Sequence, residues 1–464
     1  MRLGALVVAF VLIGAADARA DPGEDDAPAP PPDTGVPGPW VRYVERPTLA
    51  GEIRTCSMRV PLCVHSGRGV PGRAALDVLA ASERAWATLT GAMGLPAPDV
   101  DPSELHYPVF LVDRVDDDGE RGATHVAARD VRSRLDRARA FTVIDAGVRA
   151  GCGLDALAAR EIARASIHRA SPAMPEGIAR AQTSYLAQLV APCSVAFAAE
   201  SAAAFQSRPD RSVVDGHVSE IGASAQIDLP SRPADARFSE GAGFWWGRID
   251  WAYSVRPGGL LMATWALSPS LTDVGAQRWH DEPDVFDVLR VSFKDALHTG
   301  STLDDLLLDT AIARAFMGSG SAHQPETRTL GDAARVPLDW DLPWPSAPRR
   351  VAPRAPVHPT GASYLVVRRD GAPRDARLRV EIAWEEHALF RWAFVKLDAQ
   401  GRELGRVVIP TRERAVEAQM TLADLGAADR IMLVGVNAGD PAYRFDPDDE
   451  VWEPHGWLLT LAAE

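Results

Sequence analysis

The chain has 464 residues, 46% of them hydrophobic, which is enough for two or three domains with their own cores. Its net charge of -14 at pH 7 disfavours nucleic acid or an anionic membrane surface as the main partner, because an acidic protein repels polyanions. After the first twenty residues no stretch is long and apolar enough to predict a membrane span.

Met1 to Ala20 combines a basic Arg2, an apolar run from Leu3 to Ile13 and the small-x-small signal Ala18-Arg19-Ala20, so it reads as a Sec-type secretory signal peptide. No cysteine follows the expected cut, so no lipid anchor is indicated, and the protein is expected to be secreted or periplasmic. Residues 21–39 are rich in proline, aspartate and alanine around Pro30-Pro31-Pro32 and predict an extended linker, with folded structure from about Trp40. Export permits disulfides, and Cys56, Cys63, Cys152 and Cys193 are an even set. Of the three connectivities open to four cysteines, Cys56 with Cys63 and Cys152 with Cys193 is the preferred one. A zinc site built from the four is the competing reading, but the spacings are not those of a ribbon or a finger.

Cys56 to His65 reads as a short strand pair or a strand with a tight loop. Ala74 to Met93 has helical periodicity through Leu76, Leu79, Ala80, Trp86 and Leu89, and Gly94 stops it. Tyr107–Val112 predicts a strand, Thr124–Ala128 an edge strand and Phe141–Ile144 another strand. Between them Asp113, Asp116, Asp117 and Asp118 form an acidic turn whose spacing does not match a calcium loop.

From Gly151 to His168 the chain predicts a helix in which Leu154, Leu157, Ala158, Ile162 and Ala165 form one apolar stripe. Glu161 falls in the middle of that stripe. A buried carboxylate costs several kcal/mol unless a cation, metal or donor compensates it, and Arg160 and Arg164 are the nearest candidates. A second helix starts at Pro175-Glu176-Gly177-Ile178-Ala179 and runs through Tyr185 and Leu189, with Glu176 at its mouth.

These two segments carry a resemblance. Arg160-Glu161-Ile162-Ala163-Arg164 has the spacing of the zinc-peptidase motif H-E-x-x-H, with arginine at both histidine positions. Pro175-Glu176-Gly177-Ile178-Ala179 looks like the element that supplies a third, glutamate ligand in gluzincin metallopeptidases. The combination resembles secreted bacterial metalloproteases of the peptidase-MA type with the zinc site broken. By that resemblance Glu161 matches the general base, Glu176 the third ligand, and Arg160 and Arg164 the two lost ligands. Arginine stays protonated and has no lone pair for a metal, so the resemblance implies the fold and argues against the activity. No metal cofactor is expected, and zinc enters only if substitute ligands exist.

Further on, 205–233 is polar and turn-rich. Phe244, Trp245, Trp246, Trp251, Tyr253 and Trp265 form an aromatic-dense run around Pro257-Gly258-Gly259, read as two helices whose rings are core rather than a ligand groove. Pro283–Leu297 predicts an amphipathic helix, and Ser301 an N-cap for a helix to about Met317. Residues 336–360 read as a proline-rich linker. Short strands are expected at 363–367, 378–384, 389–397, 406–409, 415–422, 430–436 and 457–461, as in an antiparallel β-sandwich.

The fold class expected is therefore α+β: a zincin-like metallopeptidase domain over 40–335, with a mixed sheet and a helical half, followed by a β-sandwich over 361–464. The function expected is that of an inactive pseudo-peptidase acting in binding, with an extracellular or periplasmic protein or peptide as partner. One alternative is an active zinc peptidase using His168, but His168 lies roughly 10 Å along the helix from Glu161. The other is a structural or adhesion protein of the surface.

Overall fold

The computed structural model describes residues 43–100, 103–113, 121–213, 236–269, 279, 283–292, 301–318, 324–373, 375–411, 415–439 and 453–464. The expected signal peptide, the first linker, Asp116 to Asp118 and most of 205–233 lie outside the described residues. The described residues belong to one compact unit.

Its first layer is a five-stranded mixed sheet. Strands β1 (Ile53–Cys56) and β2 (Leu62–Ser66) make a hairpin cross-linked by the Cys56–Cys63 disulfide, and helix α1 (Gly72–Trp86) follows, extended by a wider π-type turn to Ala92. Then come β3 (Tyr107–Val112), β4 (Gly122–Arg129) and β5 (Ala138–Asp145). The order across the sheet is β1-β2-β3-β5-β4, with β2, β3 and β5 parallel and the two edge strands antiparallel. The central strands are buried on both faces, as continuous apolar runs in parallel strands require. Val64, Val109 and Leu111 meet the helices, while Phe110, Phe141 and Val143 form a separate cluster.

Helix α2 (Cys152–Ala170) packs on this sheet, α3 (Glu176–Val190) packs on α2, and the Cys152–Cys193 disulfide ties the start of α2 to the turn after α3. The apolar stripe expected on α2 is buried, and Glu161 with it at 4% exposure. Helices α4 (Ala199–Ser207), α5 (Ala236–Gly241), α6 (Gly243–Tyr253), α7 (Gly259–Leu267), α8 (Val285–Val291) and α9 (Leu303–Ala315) continue the layer. Phe244, Trp245, Trp246 and Trp265 are core, whereas Trp251 is 67% exposed. Buried indoles need acceptors: Trp245 donates to Thr310 at 3.0 Å and Trp265 to Gln182 at 2.8 Å. The turn between α6 and α7 is organised by buried Asp250, which accepts from Tyr185, Ser254 and the Gly258 and Leu260 amides. The cap of α9 is Thr302 rather than Ser301: its hydroxyl accepts from the Asp305 amide and Asp305 reaches back, a reciprocal capping box.

The stretch 336–360, expected as a linker, instead supplies β6 (Trp340–Leu342) and β7 (Arg349–Val351). With β8 (Ala362–Arg368), β9 (Leu378–Trp384), β10 (Phe390–Leu397), β11 (Glu403–Val408), β12 (Glu417–Leu422), β13 (Arg430–Asn437) and β14 (Trp457–Ala463) they make two sheets, ordered β11-β10-β13-β8-β6 and β12-β9-β14-β7. All pairings are antiparallel except β6 with β8, so the first of these sheets is mixed. Side chains from both sheets, among them Val380, Ile382, Phe394, Leu433 and Leu459, share one core. The opposite face of the first sheet is also buried: Tyr364, Val366, Ala393, Val395, Met432 and Val434 join the core that contains Leu307 and Ala311 of α9.

Candidate functional site

The two helices that carry the sequence motif bring their charged residues into one groove. Arg160, Glu161 and Arg164 of α2, Glu176 and Arg180 of α3, Glu240 of α5, and the first residues of β4 line a cavity of about 320 Å³. Gly122 sets how closely β4 approaches α2, since a Cβ there would sit 2.8 Å from Leu157 Cδ1 and 3.3 Å from Glu161 Cγ.

Both oxygens of Glu161 are engaged. Arg160 Nε donates to Oε1 at 2.9 Å, and the Thr124 hydroxyl donates to Oε2 at 2.9 Å. Behind Thr124 the hydroxyls continue inward to Thr142 (2.9 Å) and on to buried Tyr107 (2.8 Å). Arg160 also reaches Glu240 at 3.3 Å and the Gly122 carbonyl at 3.4 Å, and Ser201 donates to the other oxygen of Glu240 at 2.9 Å. One turn along α2, Arg164 Nη2 pairs with Glu176 Oε2, and Arg180 Nε donates to Oε1 at 2.7 Å. Burial pushes the Glu176 carboxyl up, but the guanidiniums of Arg164 and Arg180 outweigh it and hold the carboxyl below its ordinary range. Three arginines and three glutamates thus line the groove with no net charge. Arg164 Nη1 is buried and has no hydrogen-bond partner among the described residues.

The carboxylates and guanidiniums of this set pair with one another within the groove. Each oxygen of Glu161 accepts one hydrogen bond, and an ionised carboxylate keeps further lone pairs beyond these. No nitrogen lone pair is offered at positions 160 and 164. His168 is buried at 8% exposure, and burial, then the Arg164 and His125 charges, lower its pKa to about 3. It does not form a metal-binding group with Glu161 and Glu176, because the described donors that converge are His65, Glu104 and His106.

Glu240, Thr124 and Arg180 were not singled out by the sequence. Glu240 comes from a helix 64 positions beyond Glu176, and Thr124 was read only as an edge-strand residue; neither carries a local motif. His65, Glu104 and His106 were also missed, although Glu104-x-His106 beside a buried-strand histidine is a legible cue. Among the described residues no helix is long and apolar enough to cross a membrane.

No family model matches the chain, and no curated protein matches it. Among solved structures, the pre-peptidase C-terminal domain of a collagenase from Bacillus anthracis is similar at 7% identity and a TM-score of 0.18, over 28% of this chain and 97% of that domain. A likeness of that size supports no inference.

Proposed function

We propose that this chain is an exported, zincin-like protein in which arginines have taken the place of the metal ligands, and that it works by binding rather than hydrolysis. The observation that carries the reading is the pairing of Glu161 with Arg160, and of Glu176 with Arg164 and Arg180, within one groove, contributed by consecutive helices at the spacing of the peptidase motif. A guanidinium supplies the positive charge a zinc ion would, without coordinating water. The unpartnered Arg164 Nη1 supports a ligand that brings an acceptor, such as a peptide carbonyl or carboxylate, from an extracellular or periplasmic protein. Two disulfides support passage through an oxidising compartment, and the common core of the two C-terminal sheets supports a β-sandwich module.

The test is hydrolysis of a broad peptide library by the full mature chain, with and without a chelator, beside the Glu161→Gln variant. The reading expects no chelator-sensitive cleavage. Chelator-sensitive cleavage that Glu161→Gln abolishes would sink it.

A further inference from the structure

On the opposite face of the N-terminal sheet, away from the groove, three potential metal-ligand atoms converge on one another. His65 on β2 alternates with Val64, which faces the helices, so its ring projects the other way and lies 4.8 Å from Phe110. Its Nε2 is 3.0 Å from His106 Nε2, and Glu104 Oε2 lies 3.0 Å from His106 Nε2 and 3.9 Å from His65 Nε2. His65 is 1% exposed and His106 7%.

The outer nitrogens fix what the inner ones are. His65 Nδ1 is held by Glu52 Oε1 at 2.9 Å, and His106 Nδ1 by the Glu104 carbonyl at 2.8 Å. An imidazole that donates from Nδ1 presents a lone pair at Nε2, so two lone pairs and a carboxylate oxygen face one another. Such a contact between lone pairs is repulsive unless a cation, either a metal ion or a shared proton, lies in it. Glu104 Oε2 is itself buried and accepts no hydrogen bond among the described residues, while Arg46 and Arg54 stand 3.7 and 3.6 Å from its other oxygen. Leu105, between the two ligands, has φ +59° and is 75% exposed. A left-handed non-glycine residue is unfavourable, and here it turns Glu104 and His106 toward the same point.

We propose that His65 Nε2, His106 Nε2 and Glu104 Oε2 bind a divalent transition metal of the zinc class. The separations of 3.0, 3.0 and 3.9 Å bracket the edge of about 3.3 Å expected for a tetrahedron with metal–nitrogen bonds of about 2.05 Å. Two imidazoles and one carboxylate leave a fourth position of a tetrahedron unfilled by these three residues. Glu52 is a positioning residue: it orients the His65 ring and raises its basicity, the usual task of a carboxylate behind a metal-bound histidine.

The experiment loads the chelator-stripped, full mature chain with Zn²⁺ for calorimetry and with Co²⁺ for visible spectroscopy. One zinc per chain and the ligand-field bands of four-coordinate cobalt are expected. His106→Ala and the more exposed Glu104→Gln should each abolish both signals while the chain still melts cooperatively, and Glu52→Gln should weaken zinc binding about 10-fold or more. Glu176→Gln, in the groove, should leave the stoichiometry unchanged. Absence of binding, or binding that survives in both ligand variants, would overturn the site without touching the proposed groove. Loss of zinc in Glu176→Gln alone would overturn both.

Discussion

Glu161 persists in the apolar stripe of α2 because each of its oxygens has a donor, and removing the carboxylate tests that directly. Glu161→Ala is expected to cost about 2 kcal/mol in denaturant unfolding, below the extreme for a broken buried pair, because Arg160 is one quarter exposed and keeps Glu240. No change in the unfolding midpoint would contradict the pairing. Two other groups make stability depend on pH. The folded Glu176 carboxyl sits below its ordinary value of 4.5, so its contribution is present above that value and lost as pH falls through the folded one. His168 is depressed from 6.5 to about 3, so the unfolded chain takes up a proton below pH 6.5 that the folded chain refuses until about pH 3. Stability from this residue is therefore full above pH 6.5 and declines below it. His168→Leu should reduce the slope of unfolding free energy between pH 4 and 6 by about 1.4 kcal/mol per pH unit, and an unchanged slope would place the titration elsewhere.

At the scale of elements, the Cys152–Cys193 bond holds α2 to the turn that ends α3, and so holds the two halves of the groove in register. It closes a 41-residue separation, for which chain entropy gives about 4 kcal/mol. Replacing both cysteines by alanine should cost about 2–4 kcal/mol and loosen the clamped ends, seen as faster amide exchange at the start of α2 and the end of α3; wild-type exchange there would argue against the clamp. Elements of this kind were readable in the chain because their periodicity is local. The stripe through Leu154, Leu157 and Ile162 marks α2, and the alternation Leu378, Val380, Ile382, Trp384 marks β9. What periodicity does not carry is pairing over distance. Strands β6 and β7 have three residues each inside proline-rich chain and exist through their partners β8 and β14, so 336–360 reads as a linker. Likewise Glu240 and the His65, Glu104 and His106 group are assembled by the sheet and by α5, with no motif spanning the gaps.

The whole molecule is bound together by a sheet that is apolar on both faces. Strand β13 is buried along nearly all its length, because one face packs against β9 and β14 and the other against α9. Polar ties reinforce the contact: Arg391 reaches Asp305 at 2.9 Å, Arg406 reaches Asp309 at 3.0 Å, and the Tyr364 hydroxyl donates to the Ala311 carbonyl at 2.8 Å. A fragment of residues 361–464 would expose Tyr364, Val366, Val395, Met432 and Val434 and lose β6 and β7, so it should aggregate or bind hydrophobic dye when expressed alone. A soluble, cooperatively melting fragment would show that the module is independent. Binding experiments accordingly belong to the full chain.

Beneath all of this lies the claim that guanidiniums occupy the place where a catalytic metal would sit in the groove. Anomalous diffraction at the zinc edge from crystals of the full chain grown with zinc tests it most directly. The account predicts no peak among Arg160, Glu161, Arg164 and Glu176, with the strong peak lying instead between His65, Glu104 and His106. A peak in the groove, bridging Glu161 and Glu176, would contradict it.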